Sequence, residues 1–126
     1  MKRATPIWPL ILAGLFAAPL IAASSERSLV VTATAYNSFS EQTNGQPNLA
    51  AWGDSLIPGI QAIAVSRDLI PLGLGYRTPV SIEGFSKKFL VLDKMNKRWE
   101  KRIDIYMGDD LEAARVWGKR QVEIRW

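Results

Sequence analysis

The chain contains no cysteine and no histidine. These absences remove thiol nucleophiles, disulfides, Cys/His zinc sites and every triad that relies on imidazole. Any chemistry must come from carboxylates, hydroxyls or amines. Missing cysteine also excludes a lipid anchor at the end of an export leader, and it leaves the redox compartment open because disulfides are optional outside the cytosol. A strong charge of either sign is lacking too: the formal net charge is +4, and Lys2 and Arg3 supply two of those charges. With no clustered basic helix and no interleaved aromatic motif, nucleic acid is not an expected partner. Mild positive charge suits work near anionic wall polymers or lipid head groups.

What is present is an ordinary globular composition, 48% hydrophobic and 22% charged over 126 residues, which leaves room for one domain. Met1-Lys2-Arg3 is followed by an uncharged, apolar-rich run from Ala4 to Ser25 and then by Glu26 and Arg27. That is the three-part export signature, with small residues Ala22 to Ser25 at the cleavage end. Residues 1–24 are expected to be a signal peptide cut near Ala23 or Ser24, or else an uncleaved anchor, since about 20 apolar residues can span a bilayer. Pro6, Pro9 and Pro19 interrupt the apolar helix and favour the cleaved form. In both cases residues 25–126 are delivered outside the cytoplasm, to the periplasm or cell envelope, touching membrane only through the leader.

The exported part reads as mainly β, with about six strands and one short helix. Leu29 to Tyr36 alternates with period two, Val31, Ala33 and Ala35 against Thr32, Thr34 and Tyr36. A long polar connection follows from Asn37 to Pro58, interrupted by Leu49-Ala50-Ala51-Trp52-Gly53, and loops of that length tend to be functional. Further strands are expected at Gln61 to Val65, Pro79 to Glu83, Phe89 to Leu92, Arg102 to Met107 and Val122 to Trp126, with a Pro71/Gly73 turn after the second. Asp93 then stands at a strand end, and Asp104 lies on the strand face opposite Ile103 and Ile105. The spacing predicts a helix over Leu111 to Trp117, with Asp109 as N-cap, Glu112 as capping-box partner and Gly118 past its end. A small closed barrel hides the edges of such a sheet.

Asp93 and Asp104 can face each other across a groove if their strands pair or neighbour one another. Like charges in a partly desolvated site push one carboxyl up in pKa, so that it can donate a proton near neutral pH. Cleavage of a glycosidic bond needs such an acid. Taken singly, an Asp at a strand end or before a turn, as Asp93 and Asp68 are, is more often a turn former. Asp54, Asp109 and Asp110 read as structural. Tyr36, Trp52 and Tyr106 could stack on sugar rings, although aromatics in so small a β domain are more often core. The basic run Lys94, Lys97, Arg98, Lys101 and Arg102 could hold anionic groups, although a charged hairpin tip is usually just solvated.

Taken together, Thr34-Ala35-Tyr36, the stretch Ala62 to Gly73, Val91-Leu92-Asp93, Arg102-Ile103-Asp104-Ile105-Tyr106 and Ala114-Arg115-Val116-Trp117-Gly118 resemble the three-aspartate (3D) domain family. That domain occurs in membrane-bound lytic transglycosylase A and in small stationary-phase or resuscitation-type wall proteins, and it is similar to the barrel of expansin-like proteins. The resemblance implies a six-stranded double-psi β-barrel acting on peptidoglycan glycan strands, cut between N-acetylmuramic acid and N-acetylglucosamine to leave a 1,6-anhydro sugar. It assigns Asp104 as acid and base, Asp93 as its neighbour in the groove and Asp68 as the third aspartate, with no metal or cofactor because the sugar's C6 hydroxyl is the attacking group. Tyr36, Trp52, Tyr106 and Lys94 are the expected substrate contacts, and a monomer is expected. One departure stands out: relatives continue the second aspartate with a Gly-Gly stretch, whereas here Asp93-Lys94-Met95-Asn96-Lys97-Arg98-Trp99 follows. The 126 residues also hold no counterpart of the domain forming the opposite cleft wall in the larger transglycosylases, so substrate would be held from one side. A non-catalytic, expansin-like glycan-binding module is therefore the alternative, and an adaptor that binds another protein through the basic hairpin is a weaker third.

Overall fold

The computed structural model describes residues 26–38 and 49–126; the expected leader, residues 1–24, lies outside them. Six strands are present: β1 (Ser28–Tyr36), β2 (Ala62–Val65), β3 (Pro79–Ile82), β4 (Phe89–Lys94), β5 (Arg102–Tyr106) and β6 (Arg120–Arg125). One helix, α1 (Leu111–Trp117), precedes β6, and a 3-10 helix (Arg67–Leu72) follows β2. The strands close into a barrel in the order β1-β5-β2-β4-β3-β6, with β6 pairing back onto β1. The pairs β1/β5 and β2/β4 are parallel and the other four are antiparallel. Closure pairs both long edges of every strand, which removes the exposed edges that a six-strand open sheet would leave.

Alternation fills the barrel. Val31, Ala33, Ile63, Val65, Val80, Ile82, Phe89, Val91, Ile103, Ile105, Val122 and Ile124 point inward and are buried, with Leu69 and Leu74 completing the same cluster. Each such aliphatic side chain contributes about 1.5–3 kcal/mol on full burial, so the interior is the main source of stability. A second, smaller cluster lies on the outer face: Ala50, Leu56, Ala62, Leu92 and Tyr106, flanked by Tyr36, Ile60 and Leu90. The segment around residues 50–60 covers the sheet there, which explains why the apolar patch read within a polar connection is present.

Two local features differ from the sequence reading. The helix N-cap is Asp110, whose Oδ1 accepts from the Ala113 amide at 2.9 Å, not Asp109. That shift places Ala113 at the third helical position, so no capping box forms, and Glu112 pairs with Arg115 instead. The turn after β2 is a 3-10 helix containing Pro71 and ending at Gly73, whose φ is 110°. Glycine is required there twice over, because a Cβ would also stand 2.8 Å from Trp126 Nε1.

Candidate functional site

Both aspartates reach the outer face of the barrel, but by different routes. Asp104 arrives by simple alternation between Ile103 and Ile105, which are buried in the interior. Asp93 does not. Phe89 and Val91 point inward, and unbroken alternation would send residue 93 inward as well. The β2/β4 register shifts instead, from Ile63 opposite Val91 to Ala64 opposite Asp93. This β-bulge absorbs Leu92 into the outer cluster and turns Asp93 to the same side as Ala64. Re-aiming of a functional side chain is a common use of a bulge.

The sequence reading required the strands of Asp93 and Asp104 to pair or neighbour one another; in the barrel β2 runs between them. Ala64 is the partner of Asp93 on one side and of Asp104 on the other, and Thr34 of β1 follows opposite Asp104. The row Asp93, Ala64, Asp104, Thr34 therefore crosses four neighbouring strands. At about 4.8 Å per strand the two aspartate Cα atoms are about 10 Å apart. Ala64 between them is small and buried, and the Tyr36 side chain reaches across from β1 to bring its hydroxyl to Asp93.

Their environments differ. Asp93 is half-buried, and its Oδ1 accepts from the backbone amides of Ala51 at 2.7 Å and Lys94 at 3.0 Å, while the Tyr36 hydroxyl donates to Oδ2 at 3.4 Å. Burial raises its pKa and these three donors oppose the rise. Among the described residues Asp104 has one side-chain donor, the Thr34 hydroxyl at 3.0 Å. Burial pushes its carboxyl up to about 6, against the Thr34 hydrogen bond and the charge of Arg102, and the charge of Asp93 adds to the rise last. The repulsion named first in the sequence reading is thus the smallest cause, because a strand separates the two acids; desolvation is the largest. Tyr36 lies within the field of both carboxylates, and burial together with those charges keeps its phenol protonated.

The other expected contacts divide. Trp52 is half-buried against Tyr76, with ring centres 5.1 Å apart, and Lys94 Nζ sits 5.3 Å from its ring centre, so both stand beside Asp93. Tyr106 is buried and offers no ring face for stacking; its hydroxyl bonds the Leu56 carbonyl at 3.2 Å and Ser38 Oγ at 2.8 Å. It pins the 50–60 segment to the barrel instead. Asp68 is exposed at the start of the 3-10 helix, where its Oδ2 accepts from the Lys101 amide at 2.9 Å. It ties down the β4–β5 connection at a residue of positive φ, 48°, and makes no hydrogen bond to Asp93 or Asp104. Asp54, read as structural, accepts from the Tyr76 hydroxyl at 2.6 Å. Thr34, Ala64 and the Ala51 amide were missed as parts of the site. The Thr32/Thr34/Tyr36 alternation carried a signal for Thr34, whereas the other two follow from strand pairing and loop return.

No protein-family model matches the chain, and no curated protein matches it. Among the described residues no group of three or more acidic side chains converges as a metal site.

Proposed function

We propose that the chain is an exported double-psi barrel that cleaves the glycan strands of peptidoglycan by the lytic transglycosylase route, with Asp104 as the acid and base. The single observation carrying this reading is the placement of Asp104: a half-buried carboxyl on the outer face of the barrel, where burial pushes its pKa up to about 6, with one strand between it and a second carboxylate held by three donors. Two parallel strand pairs within a closed six-strand barrel support the double-psi assignment.

At neutral pH a carboxyl of that pKa retains a useful protonated fraction. Protonated Asp104 donates to the glycosidic oxygen as the bond to the anomeric carbon breaks. The C6 hydroxyl of the same sugar then attacks that carbon and gives its proton to the Asp104 carboxylate, which closes the anhydro ring and restores the acid. Asp93, with three donors favouring its charged form, stabilises the oxocarbenium-like centre between the two steps. Tyr36, Trp52 and Lys94 line the Asp93 side.

Incubation of the purified domain with sacculi, followed by mass spectrometry, tests the reading: anhydro-muropeptides are expected from wild type and not from Asp104→Asn. Absence of product from both proteins overturns it. Retained binding to sacculi without cleavage is the outcome that selects the glycan-binding module, for which the missing Gly-Gly after Asp93 is the supporting observation.

A further inference from the structure

The two ends of the barrel differ in charge, and strand direction decides which residues meet at each. β1, β3 and β5 begin, and β2, β4 and β6 finish, at the same end. The residues before β1, the 3-10 helix after β2, the β4–β5 connection and Trp126 are therefore neighbours there, and hydrogen bonds join them. Arg27 exchanges backbone hydrogen bonds with Trp126 at 2.8 and 3.0 Å; its guanidinium donates to the Leu72 carbonyl, as the Trp126 indole does at 3.2 Å. At the start of the 3-10 helix, about 10 Å from Leu72, Asp68 accepts from the Lys101 amide at 2.9 Å and the Arg67 guanidinium donates to the Met95 carbonyl at 3.0 Å. Arg27, Arg67, Lys97, Arg98 and Lys101 are exposed on this end, and among the described residues none of them forms an ion pair. Asp68 is engaged by backbone, Glu26 is paired with Arg125 at 3.7 Å, and Glu100 is the acid that the β4–β5 connection itself carries. At the opposite end Glu83, Asp109, Asp110 and Glu112 offset the basic residues between β3 and β4 and around α1.

Apolar groups stand among these cations. Leu72 is 43% exposed, Pro71 beside it is exposed, and Trp99 and Trp126 are half-buried. Cations mixed with indoles and an aliphatic tip suit the headgroup region of a bilayer, whereas a soluble polyanion makes no use of the apolar part. The chain also enters the barrel at this end, through Arg27, directly after the uncharged, apolar-rich run Ala4 to Ser25. A leader still in the bilayer holds this end against it. We infer that this end of the barrel is a docking face for an anionic phospholipid bilayer, with Arg67, Lys97, Arg98 and Lys101 against the headgroups and Leu72 at their boundary with the acyl chains. The inference is independent of the glycan reading: the row from Asp93 to Thr34 lies on the side of the barrel, so docking by the end leaves it open.

All six strands and the buried core lie within residues 28–125, so the chain from Ser25 onward is the folded unit to test. It is expected to sediment with phosphatidylcholine vesicles that contain phosphatidylglycerol and not with phosphatidylcholine alone. Salt at about 1 M, where the screening length is about 3 Å, is expected to release it. A basic residue at an anionic surface is worth about fivefold in partitioning, so Lys97→Gln/Arg98→Gln/Lys101→Gln is expected to lower binding by about 100-fold. Lys87→Gln/Lys88→Gln/Lys119→Gln removes the same charge from the opposite end and is expected to leave binding within about twofold, because those residues lie beyond the screening length from the docked face. Leu72→Ser, at constant charge, is expected to weaken it by about 3–10-fold. Circular dichroism establishes that each variant is folded. Equal losses from the two triple variants overturn the face, since net charge then carries the attraction. Binding to soluble polyglutamate as tight as to vesicles, with Leu72→Ser inert, overturns the bilayer as the occupant. Absence of sedimentation with the anionic vesicles at low salt overturns the inference outright and leaves the glycan reading intact.

Discussion

Replacing Asp104 with Asn tests the electrostatics of the site without any substrate. The carboxyl rises from 3.8 in the unfolded reference to about 6 in the fold, chiefly through burial. Below about pH 4 the group is neutral in both states and carries no penalty. Between about pH 4 and 6 the unfolded chain releases the proton while the fold keeps it, so stability falls as pH rises; above about 6 the full cost is present. At 1.36 kcal/mol per pH unit that cost approaches about 3 kcal/mol. Asn is uncharged and its carbonyl can still accept from Thr34. Asp104→Asn is therefore expected to be nearly neutral at pH 3.5 and to stabilise the domain by about 1–3 kcal/mol at pH 8, the lower end allowing for residual solvent contact. For a domain of about 100 residues, 1 kcal/mol moves Tm by about 4–8 °C. Guanidinium denaturation followed by tryptophan fluorescence at the two pH values reads the difference, and a carbon-13 titration of the Asp104 carboxyl reads its cause. Asp93 is present in both proteins, so its own raised pKa largely cancels. A stability difference independent of pH, or a carboxyl midpoint at or below 4, would refute the burial argument and with it the assignment of Asp104 as an acid.

Three further outcomes follow from named contacts. Thr34→Val removes the side-chain donor to Asp104, so the carboxyl midpoint is expected to climb by about one pH unit, equivalent to about 1.4 kcal/mol; an unchanged midpoint in the same titration contradicts it. Ala64→Leu places a branched side chain between the two acids, and it is expected to abolish release of anhydro-muropeptides while costing about 1–3 kcal/mol in a denaturation curve. Asp68→Ala is expected to lower stability by about 1 kcal/mol through loss of the Lys101 amide bond, and to leave the Asp93 and Asp104 titrations in place. Movement of either midpoint would put Asp68 inside the groove's electrostatics.

Local pattern made much of the barrel legible. Period-two alternation in β1 and β5 needs no partner to be seen, and the helix at Leu111–Trp117 followed from its flanking Asp and Gly residues. The cap was misplaced by one residue because Asp109 and Asp110 are equivalent in sequence, and only the backbone decides which of them faces the Ala113 amide. Asp68 and Tyr106 looked like site residues for the same reason that Asp93 and Trp52 did, their type and position on an element. Burial and hydrogen bonding then assigned the first pair to holding the connection and the covering segment in place.

The chain alone determined that carboxylates, hydroxyls or amines must carry any chemistry, since it holds neither thiol nor imidazole, and that Asp104 faces away from Ile103 and Ile105, since side chains on one strand alternate. Tertiary structure decided the rest of the site. The bulge at Leu92 turns Asp93 outward, β2 sets the spacing between the two acids, and burial lifts Asp104. Each depends on which strands lie side by side, a long-range choice made by packing that alternation within a strand does not encode.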